Sequence, residues 1–479
     1  MPQDYQPDAT QQAALAALKN VVAARDWSDQ ADVLEPHLSD WRGLFKGQAQ
    51  LLLRPRSTAE VSAILKICHD ARLPVVPQGG NTGQCGGQTP SDTGNAVILS
   101  LAHMNQVRTI DNDNFTMTAE AGCILSDLQD TAAAADRYFP LSLAAEGSCM
   151  LGGNLSTNAG GNRVIRYGMM RDMVLGLEAV LADGTILSSL HKILKNNTGY
   201  DLKQLFIGGE GTLGIVTKAV LRLRPKPLSE ETAFVAVDGF DNVTALLRHM
   251  DARLSGTLSA FEVMWTSAYE ILTGEHSHND KPLPLGPSHF ILVEALGGDP
   301  ASDKERFENA LGDAFEKGLV VDALIAQSEG ERQSFWNIRD DVPAIRDAFR
   351  NGGQVSFDVS VPISEMEDYL AEVEAGLKAR WPHAQFISFG HLGDSNLHLG
   401  AHIGPETGDH RHEIEELVFG PLMGRGGSIS AEHGIGLLKR EFLGLSRSPE
   451  ELAVMRSLKL ALDPKNILNP GKILPIAAA

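Results

Sequence analysis

The chain has 479 residues, with 61 Asp and Glu against 41 Lys and Arg and a formal charge of −20; that balance argues against a nucleic-acid partner, because displacing phosphate counterions takes a clustered basic excess. Its 43% hydrophobic and 21% charged residues are an ordinary globular composition that excludes disorder and fibrous repeats, and at about 150 residues per domain the length predicts two or three domains. No run of about eighteen apolar residues occurs, so no membrane span is expected. The polar, acidic start from Met1 to Pro7 lacks a signal-peptide pattern, and Cys68, Cys85, Cys123 and Cys149 form no Cys-x-x-Cys pair. Both features lead to the expectation of a cytoplasmic protein with reduced, mostly buried thiols and small-molecule partners.

In chain order, Leu15, Leu18 and Val22 repeat at helical spacing and predict a first helix from Asp8 to Arg25. Ser57 and Glu60 have capping-box spacing ahead of Val61, Ile64, Leu65 and Cys68, so a helix of about fourteen residues follows. Residues 74–77 read as a short apolar strand running into the glycine-rich loop from Gly79 to Gly87, and Ala96 to Leu99 as the next strand. A second glycine cluster spans Gly147 to Gly161, ahead of a strand from Val174 to Leu181 and an Asp183-Gly184 turn. A third, Gly208 to Gly214, leads into a strand from Ile215 to Leu223, which stops at Arg224-Pro225-Lys226-Pro227, read as a domain boundary. Helical and strand patterns then alternate to about residue 420, as expected of a second α/β domain. Near the end, Ser448, Pro449 and Glu451 supply an N-cap, a first-turn Pro and a capping-box acid for a helix through Leu462 that stops at Asp463-Pro464.

Gly209-x-Gly211-x-x-Gly214 spells the dinucleotide fingerprint, but that motif needs a helix after it, and here a strand follows. No Gly-x-x-x-x-Gly-Lys-Ser/Thr phosphate loop is present either. Glycines permit positive φ and let backbone N–H groups converge on an anion without side chains in the way. One such cluster reads as tight turns; three in one region favour a ligand cradle, with the strand-fed loop from Gly79 to Gly87 the candidate for a pyrophosphate.

The stretch from Phe386 to Gly400 reads as strand, turn, strand, a hairpin able to bring His391 and His398 to one point. Glu432, beside His433 and Gly434, offers a third ligand. Two imidazoles and a carboxylate leave an open position on a divalent metal, a donor set shared by catalytic zinc and iron(II) sites. Ordinary hydrogen-bonded histidines are the alternative. Arg339 is either a bidentate carboxylate clamp or half of an ion pair. His402, His410 and His412 are left over, the last two in a stretch, Asp409 to Glu413, that reads as a solvated face.

Four motifs together, Pro77-Gln78-Gly79-Gly80-Asn81-Thr82-Gly83, Gly152-Gly153-Asn154-x-x-Thr157-Asn158-Ala159-Gly160-Gly161, Gly209-Glu210-Gly211-Thr212-Leu213-Gly214-Ile215-Val216-Thr217 and Asn469-Pro470-Gly471-Lys472, resemble FAD-binding flavoproteins of the vanillyl-alcohol-oxidase type, in the D-2-hydroxyglutarate and D-lactate dehydrogenase branch. The resemblance implies an α+β fold: a helical segment at 1–45, a two-subdomain PCMH-type FAD domain at 46–227, an α/β substrate cap at 228–420 and a segment at 421–479 that returns to the flavin. It implies FAD contacts from Pro77 to Gly83, from Gly147, Gly152, Gly153, Asn154, Thr157, Asn158, Gly160 and Gly161, from Glu210, Gly211, Gly214, Ile215 and Val216, and from Asn469. It also assigns His391, His398 and Glu432 to a divalent metal, with zinc expected, and makes His433 the catalytic base and Arg339 the substrate-carboxylate clamp. The implied reaction oxidises a D-2-hydroxy acid to the 2-oxo acid by hydride transfer to flavin N5, with an electron-transferring flavoprotein or quinone as acceptor; a homodimer stays open.

The resemblance breaks at three positions. Pro343 stands where the 2-hydroxyglutarate enzymes are similar in having Thr, Ser356 where they have Lys and Gly400 where they have Asn, so three polar contacts to a dicarboxylate are missing. D-2-hydroxyglutarate, D-lactate and D-malate are therefore all candidate substrates. Two other readings are a zinc hydrolase using His391, His398 and Glu432 without flavin, and a catalytically silent flavin-binding protein.

Overall fold

The computed structural model describes residues 5–475. Ser57 takes extended geometry and its hydroxyl accepts the Glu60 N–H at 3.2 Å, which starts the helix Thr58–Ala71. The Glu60 carboxylate reaches back to the N–H of Arg56, one residue short of a full capping box. Val61, Ile64, Leu65 and Cys68 form this helix's buried stripe, each large aliphatic side chain contributing roughly 1.5–3 kcal/mol by leaving water. The first helix is shorter than its periodicity predicts, Ala9–Leu18. Asn20 turns its side-chain amide onto the Ala16 carbonyl at 3.1 Å and closes the last turn, yet Val22 beyond it still reaches the core.

The chain divides into two compact units: Met1–Gly161, Met169–Lys226 and Glu432–Ala479 make the first, and Asn162–Gly168 with Pro227–Ala431 the second. In the first unit a four-stranded sheet has the order Trp27–Ser28, Ala49–Leu53, Ala96–Ser100, Val75–Gln78, its last three strands parallel. A five-stranded antiparallel sheet runs Val107–Asp111, Thr116–Glu120, Ile215–Arg222, Val174–Val180, Ile186–Ser189. The helices Ala9–Leu18 and Thr58–Ala71 pack into one core with strand residues Leu51, Leu53, Val75, Val97 and Leu99 and with Ile467 and Leu468 from the C-terminal segment. That segment follows the helix Pro449–Leu462, whose Ser448–Glu451 capping box is complete.

The second unit is built on a seven-stranded antiparallel sheet in the order Asp322–Ile325, Ser229–Val237, His289–Gly297, Leu258–Trp265, Gln385–His391, Asn396–His402, Val355–Ser360. Residues 162–168 belong here although both flanks of that segment belong to the first unit. Arg163 anchors it, with Nε and Nη2 donating to the two oxygens of fully buried Glu294 at 2.9 and 3.1 Å. Ser259 Oγ and Trp336 Nε1 donate to the same carboxylate at 2.8 and 3.1 Å. No helix among the described residues is long and apolar enough to cross a membrane.

Candidate functional site

In the first unit the strand Val75–Gln78 delivers the loop that follows it into a cavity of about 290 Å³. Eighteen residues implicated by the sequence line it: Pro77, Gln78, Gly79, Gly80, Asn81, Thr82, Gly83, Gly152, Gly153, Asn154, Thr157, Gly160, Glu210, Gly211, Gly214, Ile215, Val216 and Asn469. Among the described residues no backbone N–H from Gly80 to Gly83 has a hydrogen-bond acceptor. A row of uncommitted donors in a half-buried loop is what an anion cradle requires. Gly80 has no room for a side chain, since a Cβ there would lie 2.0 Å from the Ser148 carbonyl oxygen, and Gly211, at φ +69°, would press a Cβ to 2.5 Å from Pro77 Cγ.

Three residues of the same set lie off the lining. Asn158, at φ +51°, spends its side-chain oxygen on the Arg171 N–H at 2.9 Å, Gly161 is packed so that a Cβ would meet the Ser142 carbonyl at 1.9 Å, and Gly147 has open space around it. Cys85 and Cys149, assigned no ligand role from their pattern, do line the cavity. All four cysteines are buried and in no disulfide, and burial pushes the thiols of Cys68 and Cys123 up to about 12 and about 11, which keeps those two protonated and inert.

Glu432 and His433 also line this cavity. The loop that carries them is tied down by Glu210, whose carboxylate accepts the N–H groups of Ile435 and Gly436 at 2.7 and 2.8 Å. Burial drives the Glu210 carboxyl upward, and the two N–H donors oppose that shift without cancelling it. Asn469 returns the C-terminal segment to the cavity: its N–H donates to Val75, and its side-chain amide to the carbonyls of Gly87 and Glu210, each at 2.8 Å.

In the second unit the hairpin forms with a tight turn at residues 392–395, and His391 and His398 converge with their Nε2 atoms 3.3 Å apart. Two metal–nitrogen bonds of about 2.0–2.1 Å at a tetrahedral angle hold their nitrogens about 3.3 Å apart, so the pair has the bite of a metal site. Glu262, on the strand Leu258–Trp265, accepts from His391 Nδ1 at 2.7 Å and from Arg339 Nε at 2.8 Å. Burial alone would raise this carboxyl, but His391 and Arg339 beside it prevail and hold it at about 2. Arg339, from the helix Glu329–Asp340, also bonds Asp340 at 3.1 Å and brings Nη2 within 3.0 Å of His391 Nε2. The guanidinium is thus both ion-paired and held beside the histidines. Glu262 was missed in the sequence, although a lone acid in the run Leu258-Ser259-Ala260-Phe261-Glu262-Val263-Met264-Trp265 is a signal, because a buried charge must be paired.

The leftover histidines have local partners. His402 Nδ1 bonds the Gly353 carbonyl at 2.6 Å; His410 pairs with Glu413 and His412 with Glu416 along the helix Arg411–Phe419, the solvated face expected there. Of the three departures, Pro343 sits in the first turn of the helix Val342–Ala348, while Ser356 and Gly400 are cross-strand partners. A Cβ at Gly400 would lie 2.2 Å from the side-chain oxygen of Gln354, which occupies that space.

The family model for the FAD binding domain matches residues 49–189, and that for the C-terminal domain of FAD linked oxidases matches residues 226–473. The chain is 42% identical to mitochondrial D-2-hydroxyglutarate dehydrogenase of Bos taurus over 97% of this chain and 84% of that one. It is 40% identical to the mitochondrial D-2-hydroxyglutarate dehydrogenase of Arabidopsis thaliana over 95% and 80%. The structure of p-cresol methylhydroxylase with substrate bound superposes with a TM-score of 0.78 at 17% identity, covering 99% of this chain and 98% of that one. The mitochondrial names of the relatives overturn the cytoplasmic expectation: buried thiols distinguish reducing from oxidising surroundings but not one reducing compartment from another. A flavin-binding family likewise leaves the flavin-free zinc hydrolase without support. The chain belongs to the FAD linked oxidases, in the branch of the D-2-hydroxyglutarate dehydrogenases, and is an FAD-dependent oxidoreductase.

Proposed function

We propose that the protein oxidises a D-2-hydroxy acid to the 2-oxo acid with the help of a divalent metal, zinc being the expected ion, held by His391 and His398 with Glu432 as third ligand. The observation that carries the metal is the 3.3 Å approach of the two Nε2 atoms, with a carboxylate already on His391 Nδ1; the kinship with D-2-hydroxyglutarate dehydrogenases supports the substrate class. When bound, FAD would supply the hydride acceptor at N5 and the metal a Lewis acid toward the substrate. His433 takes the hydroxyl proton as the carbonyl forms, and Arg339 orients the substrate by its carboxylate. An electron-transferring flavoprotein or a quinone would serve as the electron acceptor.

The test is an anaerobic screen of the purified FAD protein with D-2-hydroxyglutarate, D-lactate and D-malate, before and after metal chelation. Bleaching of the flavin by at least one D acid, lost on chelation and restored by Zn²⁺, is expected. Bleaching that survives complete metal removal would refute the metal's role, and a flavin that no D-2-hydroxy acid reduces would refute the function.

A further inference from the structure

Glu262 is 1% exposed in the middle of a strand, where a carboxylate is costly unless paired. Its two oxygens do not go to one partner. Oε1 faces His391 Nδ1 at 2.7 Å and Oε2 faces Arg339 Nε at 2.8 Å. A carboxylate serving only as counter-ion to Arg339 would take the guanidinium with both oxygens, as Glu294 takes Arg163 in the same unit. The split has a chemical result on each side. A proton held on His391 Nδ1 leaves the lone pair on Nε2, the nitrogen that lies against His398 Nε2. On the other side, Nε held by Glu262 and Nη1 held by Asp340 fix the plane of the guanidinium, with Nη2 beside the imidazole pair.

We propose that Glu262 is a positioning residue shared by the metal and the substrate: one oxygen sets the tautomer and aim of His391, and the other sets the orientation of Arg339. The inference rests on the metal reading given above and adds a coupling to it, since one side chain then governs both metal affinity and carboxylate binding. Carboxylates in this relation to a ligating histidine raise its basicity, and their loss typically weakens metal binding about 10–100-fold.

The test compares full-length, FAD-loaded wild type with Glu262→Gln, which keeps shape and removes the charge, and with Glu262→Asp, which keeps the charge and shortens the reach. Zn²⁺ affinity is read without substrate, by equilibrium dialysis against zinc buffers and metal analysis, alongside the flavin spectrum and the separate values of KM and kcat. In Glu262→Gln the flavin spectrum stays as in wild type, Zn²⁺ binding falls about 10–100-fold, and KM for the hydroxy acid rises even at saturating Zn²⁺. Zn²⁺ affinity within about twofold of wild type in that variant would overturn the proposal. Should Glu262→Gln fail to fold, Glu262→Asp carries the same comparison, with a loss of about tenfold expected and an unchanged affinity again decisive against it. Wild type that takes up no Zn²⁺ would overturn the metal reading and this inference together, whereas wild-type uptake matched by both variants would overturn this inference alone.

Discussion

Arg163 is the point at which a single truncation should be felt most in the second unit. Arg163→Ala removes two charge-assisted hydrogen bonds, of 2.9 and 3.1 Å, from a carboxylate with no exposed side-chain surface. Breaking a buried ion pair by deleting one partner costs about 3–5 kcal/mol, because the remaining charge stays desolvated. Ser259 Oγ and Trp336 Nε1 still donate to Glu294, which places the expected loss near the lower end, about 3 kcal/mol, or roughly a hundredfold in the unfolding equilibrium. Urea denaturation followed by tryptophan fluorescence measures it, and Trp336, bonded to Glu294, reports from the site itself. The double variant Arg163→Ala/Glu294→Gln removes the stranded charge and should recover at least about 1 kcal/mol of the loss. Because Trp336 and Arg339 lie one turn apart on the same helix, the single variant should also raise KM for the hydroxy acid. A loss below about 1 kcal/mol, or a double variant no more stable than the single, would refute the reasoning.

Gly80→Ala sets a Cβ 2.0 Å from the Ser148 carbonyl oxygen and is expected to weaken FAD retention at least about tenfold, read from the ratio of flavin to protein absorbance after gel filtration. His433→Ala should keep its flavin and lose about 10²–10⁴-fold in kcat, checked by anaerobic stopped-flow reduction. Lys472, buried with its ammonium on the Thr89 carbonyl, is pushed down to about 8 by burial and by Arg440, against the opposing pull of Glu210. The unfolded chain therefore binds more protons between about pH 8 and pH 10.5, and stability relative to Lys472→Met should rise across that window by up to about 3 kcal/mol. Thermal melts of the two proteins at several pH values decide it, and parallel curves would count against the buried ammonium.

What could be read in advance follows the range of the interactions. The Ser57 and Ser448 caps act within three residues, so the starts of both helices were legible. The His391–His398 hairpin spans seven residues and its turn is local, and the glycine loops declare themselves by composition. Glu262 and Glu294 were not legible, because Glu262 finds Arg339 77 residues away and Arg163 finds Glu294 131 residues away; no local pattern encodes such pairings. Asn158 and Gly161 lie off the cavity lining for a local reason: their motif forms a tightly packed loop in which Asn158 holds the Arg171 N–H and Gly161 packs against the backbone at Ser142.

The cross-strand pair of Ser356 and Gly400 constrains the route by which substrate preference can change. A new Cβ at position 400 would meet the Gln354 amide oxygen, the far end of a flexible side chain, at 2.2 Å and Ile387 Cγ1 at 2.9 Å. An asparagine introduced there needs the Gln354 side chain to swing aside, so its effect depends on where that chain can go. Lysine at position 356 faces no such precondition from the same glycine. A change at Gly400 is therefore coupled to Gln354, and comparing Gly400→Asn with and without a shorter residue at position 354 reads that coupling as a difference in stability.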